Sequence, residues 1–212
     1  MILFVASQKG GPGKSTIARA VAVSLRKNDW SVCLADMDKT QHSTFNWNID
    51  REEAGIEPAI DVISCSNPKA ALKAKAQCDA LVIDGTPYAT KVTLEICKSS
   101  TMVILPTGVT KDDLRPALEL AQELMHEGIK RSHIFFVVIK VPNNGEKEAL
   151  SAIDTIKDWG YNCSPSWIPF KTSYGKAMDS GRSIIETRFP SINEKADVVI
   201  QDIFDCASKL NK

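Results

Sequence analysis

Residues 9–16, near the amino end of the chain, contain two lysines, three glycines, one proline and a serine–threonine pair. They follow an apolar run at residues 2–6 and precede a stretch whose apolar residues repeat at helical spacing. Strand, glycine-rich turn and helix is the order that a phosphate-binding loop requires. Glycines let successive backbone N–H groups turn inward around an anion, and the helix directs its positive end at the same point. Lys14 would neutralise the outer phosphates, and the Ser15 hydroxyl would bind Mg²⁺.

Carboxylates follow two of the predicted strands. Asp36 ends the strand at residues 31–36, Asp38 follows it, and Asp84 comes directly after a run of four apolar residues. Because ligands bind at the carboxyl ends of strands in open α/β sheets, these acids are expected beside the phosphate-binding loop, with Asp84 holding Mg²⁺ or its waters. A helix-capping or turn aspartate is the alternative reading at each position.

Helical and strand patterns alternate along the chain, which predicts an α/β fold with a mostly parallel twisted sheet and helices on both faces. The length of 212 residues predicts a single domain, residues 1–212. Further helices are expected at residues 44–53, 68–76, 92–98, 111–126, 146–159 and 191–210. Further strands are expected at residues 59–64, 80–84, 101–105, 134–141 and, as a short edge strand, 166–168.

Composition narrows the classes of protein. The formal net charge is zero, so nucleic-acid binding would need a local basic patch. No apolar run reaches membrane-spanning length and no signal peptide is evident, which predicts a cytoplasmic protein. Six cysteines are scattered without a C-x-x-C pair, so free and mostly buried thiols are expected. The four tryptophans are expected to be core or half-buried residues.

The phosphate-binding loop reads K-G-G-x-G-K-[ST]-T, with Gln8 where the general pattern has glycine. It resembles the deviant Walker A box of the ParA/MinD family of P-loop NTPases, and the resemblance extends over most of the chain. It implies an ATPase in which Lys9 reaches the nucleotide of a partner subunit, so that a dimer sandwiches two ATP molecules. It also implies that the loop residues wrap the nucleotide, namely Lys9, Gly10, Gly11, Pro12, Gly13, Lys14, Ser15 and Thr16.

The acids match the same family. The segment Asp36-Met37-Asp38 resembles its switch I motif, although Lys39 and Thr40 stand where the family usually has Pro-Gln. The resemblance implies that Asp38 orients the attacking water, and Asp36 assists magnesium. Asp84 corresponds to the Walker B acid and is expected to bind magnesium together with Ser15.

The carboxyl-terminal part also resembles the family, in residues 168–171 and 177–186. The resemblance implies that Pro169 and Phe170 lie at the adenine, whereas Lys140 stands where the family usually has an asparagine. It also implies a DNA-binding patch built from Lys171, Lys176, Arg182, Arg188 and Lys195. Such cations bind phosphates without reading sequence, and ordinary solvated charges are the alternative.

The predicted function is that of a small ParA-type partition ATPase, which uses ATP and Mg²⁺, dimerises, binds DNA non-specifically and becomes nucleoid-associated when ATP-bound. A centromere-binding partner, ParB-like or a small ribbon-helix-helix protein, would stimulate hydrolysis. No membrane partner is expected, because the final helix carries acids on its polar face. The alternatives are a positioning ATPase for conjugation or division complexes, a metabolic ATP-dependent enzyme, and a nucleotide-gated adaptor. Stimulation of ATP hydrolysis by DNA or by a partner, without a small-molecule substrate, would separate these classes.

Overall fold

The structure is a computed structural model, which describes residues 1–11, 13–38, 42–65, 67–87 and 91–210. Pro12, one of the predicted nucleotide-binding residues, lies outside the described residues. Among the described segments, seven strands form one parallel sheet in the order β3-β2-β4-β1-β5-β6-β7. The strands are β1 Ile2–Ser7, β2 Val32–Asp36, β3 Asp61–Ser64, β4 Ala80–Pro87, β5 Met102–Thr107, β6 Ile134–Val141 and β7 Asn162–Pro169.

Helices cover both faces of the sheet, and each face has its own apolar core. Val21 of α1 and Ile200 of α8 pack on one face, and Ile96 of α4 and Ile153 of α6 pack on the other. The predicted α/β fold, with a parallel sheet and helices on both faces, is therefore confirmed. The helices are α1 Lys14–Lys27, α2 Ser43–Glu53, α3 Pro68–Lys73, α4 Lys91–Ser99, α5 Lys111–His126, α6 Glu146–Asp158, α7 Thr172–Met178 and α8 Pro190–Leu210, with 3-10 turns at Ala74–Gln77 and Arg131–His133.

Several elements differ from the sequence expectation. Strands β2 and β3 begin later, at Val32 and Asp61, and β4 continues past Asp84 to Pro87. The helix expected at residues 68–76 is divided into α3 and a 3-10 turn.

Strand β5 continues through Pro106 to Thr107. The missing N–H of Pro106 is accommodated because pairing with β1 ends at Ile104. Strand β7 lies at the sheet edge as expected, but it has eight residues and not three. Its register against β6 shifts twice, so its residues do not alternate regularly between apolar and polar, and the full strand was not predicted. Helix α7 was not predicted, because its seven residues are too few to show a clear helical period.

The sheet topology sets the position of the functional residues. Strand β1 lies at the centre, with β4 on one side and β5 on the other. All strands run parallel, so the loop after β1, Asp84 of β4 and the end of β6 open at the same edge. Asp36 of β2 is in register with Asp84, which brings two acids predicted from distant parts of the sequence together.

Candidate nucleotide-binding site

The loop between β1 and α1 has the conformation that its glycines make possible. Gly11 and Gly13 have φ angles of 89° and 98°, in the left-handed region that favours glycine. A Cβ atom on Gly13 would also lie 2.9 Å from Ile139 Cδ1. The loop encloses a cavity of about 290 Å³. The described residues that line this cavity are Gly10, Gly11, Gly13, Lys14, Ser15, Thr16, Asp38, Ser43, Gly85 and Lys140.

Lys14 is the first residue of α1, and only 8 % of its surface is exposed. Burial lowers the pKa of its ammonium group, while the nearby carboxylates Asp84 and Asp38 oppose that change. A cation that has lost most of its hydration beside the positive end of a helix is stabilised by an anion in the same cavity. The electrostatics of this end of the cavity therefore favour a phosphate group.

Asp84 is 1 % exposed and lies below the loop. Its Oδ2 accepts a hydrogen bond of 2.7 Å from the Thr44 hydroxyl, whereas Oδ1 has no partner among the described residues. Burial raises the pKa of this carboxyl to about 6. An orphaned buried carboxylate oxygen close to a serine hydroxyl suits a hard cation, because Mg²⁺ prefers oxygen ligands. The donor set around Asp84 and Ser15 thus fits magnesium.

The amino end of α2 is held against this site by both sheet acids. The Ser43 Oγ lies 3.2 Å from the Ser15 Oγ, and Thr44 donates to Asp84. The Asp36 carboxylate accepts backbone N–H groups of Thr44 at 2.9 Å and Phe45 at 3.0 Å through Oδ2. Asp36 therefore caps the helix and stabilises its positive end.

The capping role bears on the predicted magnesium role of Asp36. Its Oδ1 accepts the backbone N–H of Asp38 at 2.9 Å, so backbone donors occupy both oxygens. The magnesium role of Asp36 stays a prediction. Asp36 would assist magnesium indirectly, by holding Asp38 and the start of α2 in place. Asp38 itself is half-buried and lines the phosphate cavity. This position is compatible with its predicted role of orienting the attacking water.

Lys9 does not line the phosphate cavity in the described part of the chain. Its ammonium group donates to the backbone carbonyl of Asp112, at the start of α5, and the side chain is exposed. It lines a neighbouring cavity of about 310 Å³, which also includes Gly108, Val109 and Lys140. Lys9 and Lys14 therefore lie on different sides of the loop, one exposed and one buried.

The predicted base-pocket residues lie next to the end of β6. Pro169 is buried at the end of β7 and pairs with Val141, while Phe170 is 57 % exposed. Neither residue lines the phosphate cavity. Between them and the loop stands Lys140, whose ammonium group donates to the Gly11 carbonyl at 2.5 Å. The sequence marked Lys140 as an unusual residue but gave no sign of this bond.

The predicted DNA-binding residues are only partly brought together. Lys176, Arg182 and Arg188 line a cavity of about 650 Å³, together with hydroxyl side chains of α7 and Glu186. Lys171 instead donates to Asn143 Oδ1 at 2.7 Å, and Lys195 lies exposed on α8. Three of the five predicted cations thus share one basic cavity.

Sequence reasoning missed a buried cluster that joins α2 to this basic cavity. Arg51 is 1 % exposed and donates to both oxygens of Glu186, at 2.8 and 3.0 Å. Trp47 donates through Nε1 to the carbonyl of Arg182 at 3.0 Å. A Cβ atom on Gly181 would lie 2.5 Å from the Arg51 backbone nitrogen, so the two segments pack closely. The family resemblance marked residues 177–186, which include Gly181 and Glu186. Arg51, however, stands among polar residues, which is typical of an exposed helix face.

A family model described as the CobQ/CobB/MinD/ParA nucleotide binding domain matches residues 3–184. The chain belongs to this family. The match spans the phosphate loop, both sheet acids and the Arg51 cluster except for Glu186. No curated protein sequence matches the chain. The family explains why the loop, Lys14 and Asp84 meet at one edge of the sheet, since it is a nucleotide-binding family.

Several solved structures share this fold. MinD from Pyrococcus horikoshii, complexed with Mg-ADP, is 15 % identical with a TM-score of 0.75, covering 99 % of this chain and 98 % of its own. A putative plasmid partition protein from Borrelia burgdorferi, bound to AMPPNP, is 20 % identical with a TM-score of 0.72, covering 96 % and 98 %. McdA from Cyanothece, without nucleotide, is 17 % identical with a TM-score of 0.74, covering 95 % and 98 %.

Other sequence expectations can be compared with the described residues. Cys33, Cys65 and Cys97 are buried and the other three thiols are half-buried, all free. Trp159 was expected to be at least half-buried but is 45 % exposed, because it follows the carboxyl end of α6. No helix among the described segments is long and apolar enough to cross a membrane.

Proposed function

We propose that the protein is a ParA-type ATPase that binds ATP and Mg²⁺ as a single domain, residues 1–212. The observation that carries this proposal is the pairing of a buried cation, Lys14, with a buried, half-satisfied carboxylate, Asp84, across one glycine cradle. Gly10, Gly11, Gly13 and Thr16 would wrap the phosphates, and Lys14 would neutralise their charge. Ser15 and Asp84 would hold magnesium, which supplies charge stabilisation for phosphoryl transfer. Asp38 would orient the attacking water.

We further propose that ATP brings two copies together through Lys9. The Lys9 ammonium group is exposed and bonded to a neutral carbonyl, that of Asp112. A phosphate is a stronger acceptor than a backbone carbonyl, so the exchange favours a charged partner. A second copy facing the loop would present such a phosphate to Lys9, which would then serve the partner's nucleotide.

The basic cavity supports a DNA-binding role for the ATP-bound dimer. Lys176, Arg182 and Arg188 offer three cations together with hydroxyl groups, which are the donors that contact phosphate backbones. Lys171 and Lys195 would extend the patch along the surface. Contacts of this kind give non-specific binding that weakens as salt rises. Partition of plasmid or chromosomal DNA, with stimulation by a centromere-binding protein, is the function that uses both sites.

The first experiment tests nucleotide binding and dimerisation. Wild type, Lys14→Ala and Lys9→Ala are compared by size-exclusion chromatography with ATP, with ADP and without nucleotide, and by ATP hydrolysis. We expect Lys14→Ala to lose nucleotide binding. Lys9→Ala should keep ATP binding and lose both dimerisation and hydrolysis. Equal hydrolysis by Lys9→Ala and wild type would contradict the sandwich dimer.

The second experiment tests DNA binding. Retention of DNA on a filter is measured with ATP at several salt concentrations for wild type, Arg182→Ala and Arg188→Ala. Lys130→Ala is the matched control, because Lys130 is exposed and lies outside the basic cavity. Each lost phosphate contact should reduce the salt slope by about 0.9. ATP-dependent dimerisation without any DNA retention would favour a positioning ATPase for division or conjugation complexes instead.

A further inference from the structure

Arg19 is an unusually buried cation on α1, with only 8 % of its surface exposed. Its guanidinium group packs on the Trp47 ring, with Cζ 5.3 Å from the ring centroid. Among the described residues, no salt bridge involves Arg19. Arginine is almost never buried to this extent unless its charge is compensated. The position therefore needs an explanation in terms of the groups that surround it.

The charge of Arg19 is compensated by acids at longer range. Burial lowers the pKa of its guanidinium group, while Asp84, Asp36 and Asp50 oppose that change, and Asp84 does so most strongly. Asp84 and Asp36 are the two sheet acids at the edge where the phosphate loop opens. Arg19 is thus buried beside the proposed magnesium site, although it does not line the phosphate cavity.

Two hydrogen bonds connect Arg19 to Asp84 through Thr44. Arg19 Nε donates to the Thr44 hydroxyl oxygen at 3.2 Å, and the Thr44 hydroxyl donates to Asp84 Oδ2 at 2.7 Å. Arginine has only donors, and a hydroxyl group has a single hydrogen that rotates to suit its surroundings. Because the Thr44 oxygen accepts from Arg19, that hydrogen is directed at Asp84.

This direction decides which oxygen of Asp84 stays available. Oδ2 is engaged by Thr44, whereas Oδ1 is buried and has no partner among the described residues. A carboxylate held by one oxygen presents the other in a fixed orientation. Without Arg19, the Thr44 hydroxyl could rotate, and the carboxylate would lose that restraint. The arrangement thus leaves Oδ1 as the oxygen of Asp84 for a cation.

We propose that Arg19 is a positioning residue of the magnesium site, which acts through Thr44 to keep Asp84 Oδ1 oriented for the metal. Groups that hold metal-binding side chains in place typically change metal affinity about 10–100-fold. Arg19 itself contacts neither metal nor nucleotide in this assignment. The inference rests on the proposed function, because it requires that Asp84 bind magnesium.

A purely structural role for Arg19 gives a different expectation. Its packing on Trp47 joins α1 to α2, so loss of this contact alone would destabilise the fold. Nucleotide affinity would then fall equally with and without magnesium. A positioning role instead lowers affinity only when magnesium is present. We define the magnesium gain as the ADP dissociation constant in EDTA divided by that in excess Mg²⁺.

The test measures the magnesium gain by titration calorimetry. ADP is the probe, because it is not hydrolysed and the proposed dimer requires ATP. Wild type is compared with Arg19→Met, which removes charge and donors, and with Arg19→Lys, which keeps both. Arg26→Met is the matched control, since Arg26 lies on the same helix and donates to the Ala59 and Trp30 carbonyls, outside the phosphate cavity.

We expect Arg19→Met to lower the magnesium gain about tenfold, with unchanged ADP affinity in EDTA. Arg19→Lys should restore most of the gain, and Arg26→Met should match wild type. An unchanged gain in Arg19→Met, or equal losses of affinity with and without magnesium, would overturn the proposal. A wild type that binds ADP without any magnesium gain would overturn the magnesium site and this inference. A wild type that binds no ADP would overturn the proposed function as a whole.

A double-mutant cycle tests whether Arg19 acts through Thr44. Thr44→Val removes the hydroxyl group with little change of shape and should itself lower the magnesium gain. Arg19→Met/Thr44→Val should show no further loss, because the two residues belong to one hydrogen-bonded chain. If the two losses add, Arg19 acts on the metal by another route, and the proposal is wrong.

Thermal unfolding without ligand shows whether each variant folds. If Arg19→Met does not fold, Arg19→Gln takes its place in the cycle. Glutamine keeps a neutral donor, whose bond to Thr44 is weaker than a charge-assisted one, so a smaller loss of magnesium gain is expected. That loss must also vanish in the Thr44→Val background. A full magnesium gain in Arg19→Gln, or a loss that persists in Thr44→Val, would then refute the positioning role.

Discussion

Helix α2 carries a buried carboxylate contact at each of its ends, and the two differ in how well they are satisfied. At the amino end, Thr44 donates to Asp84, whose other oxygen has no partner among the described residues. At the carboxyl end, Arg51 donates to both oxygens of Glu186, one of which also accepts the N–H of Ser183 at 2.8 Å. Both acids come from outside the helix, but only Glu186 has a hydrogen-bond partner on each of its carboxylate oxygens among the described residues.

The pKa values of the two acids change in opposite directions. Burial raises the pKa of Asp84 to about 6. Burial also acts to raise the pKa of Glu186, but the hydrogen bonds from Arg51 and Ser183 outweigh it, and the pKa is lowered. Leaving a buried polar group unpaired costs about 1–3 kcal/mol. A carboxylate oxygen without a partner is therefore expected where a ligand supplies the missing partner. The difference is the one that we expect between the proposed magnesium site at Asp84 and a structural contact at Glu186.

One side chain connects the two contacts. The Trp47 ring has Arg19 Cζ at 5.3 Å from its centroid and Arg51 Cζ at 5.5 Å. Arg19 donates to the Thr44 hydroxyl at 3.2 Å, which places it on the nucleotide side. Trp47 also donates to the carbonyl of Arg182, which lines the basic cavity. Trp47 therefore contacts groups on both sides, between the proposed magnesium site and the proposed DNA surface.

The largest expected effect comes from breaking the satisfied contact. Arg51→Met should lower the free energy of unfolding by about 3–5 kcal/mol, because Glu186 is left buried without its cation. Urea denaturation followed by circular dichroism measures this. The double variant Arg51→Met/Glu186→Leu should regain part of the loss, since no unpaired charge remains. A loss below about 1 kcal/mol for Arg51→Met, typical of exposed pairs, would show that the contact is not structural.

The second prediction concerns the unsatisfied acid and has the opposite sign. In the folded protein Asp84 holds its proton up to about pH 6, whereas the reference carboxyl releases it near 3.8. Between these values the folded state binds more protons, so its stability falls as pH rises. The remaining penalty above pH 6 is about 3 kcal/mol at 1.36 kcal/mol per pKa unit. Asp84→Asn should therefore stabilise the protein without nucleotide at pH 8, and the gain should vanish below about pH 4.

Denaturation of Asp84→Asn across pH, with and without ATP and Mg²⁺, checks this prediction. Asp61→Asn is the matched control, because Asp61 is an exposed acid at the start of β3. Magnesium should add stability to ATP-bound wild type and little to Asp84→Asn. If Asp84→Asn is less stable than wild type at pH 8, the carboxylate is not held in an unfavourable state.

Much of the region around Asp84, the acid with an unpaired oxygen, could be predicted from the sequence. Lys14 and Asp84 each belong to a short motif after an apolar strand, so local pattern and the rule for strand ends brought them to one edge. The strand β6 and the helix α5 were predicted with the bounds that the structure has. The same motifs carried the family resemblance, which the match over residues 3–184 confirms.

The region around Glu186, the acid whose two oxygens are both hydrogen-bonded, could not be predicted. The contacts of Arg51 with Glu186 and of Trp47 with Arg182 each join positions 135 residues apart. Both depend on how α2 packs against the segment before α8. An arginine is usually exposed, so nothing in the local pattern marks Arg51 as buried. The bond of Lys140 to Gly11 was hidden for the same reason, since a register shift sets its direction. Long-range pairings of polar groups leave no periodic signal in sequence.

The smallest expected effect tests whether Arg51 alone completes Glu186. Lys27 lies 3.8 Å from Glu186 Oε1 and its side chain is 43 % exposed. Water and salt screen such a cation, so Lys27→Ala should change the free energy of unfolding by less than about 1 kcal/mol. The change should shrink further in high salt, whereas the loss in Arg51→Met should persist, because buried pairs are screened less. Urea denaturation of both variants at low and high salt makes the comparison. A loss in Lys27→Ala that matched the loss in Arg51→Met would mean that both cations stabilise Glu186 equally. The contrast with Asp84 would then rest on the number of nearby cations and not on the hydrogen bonds from Arg51.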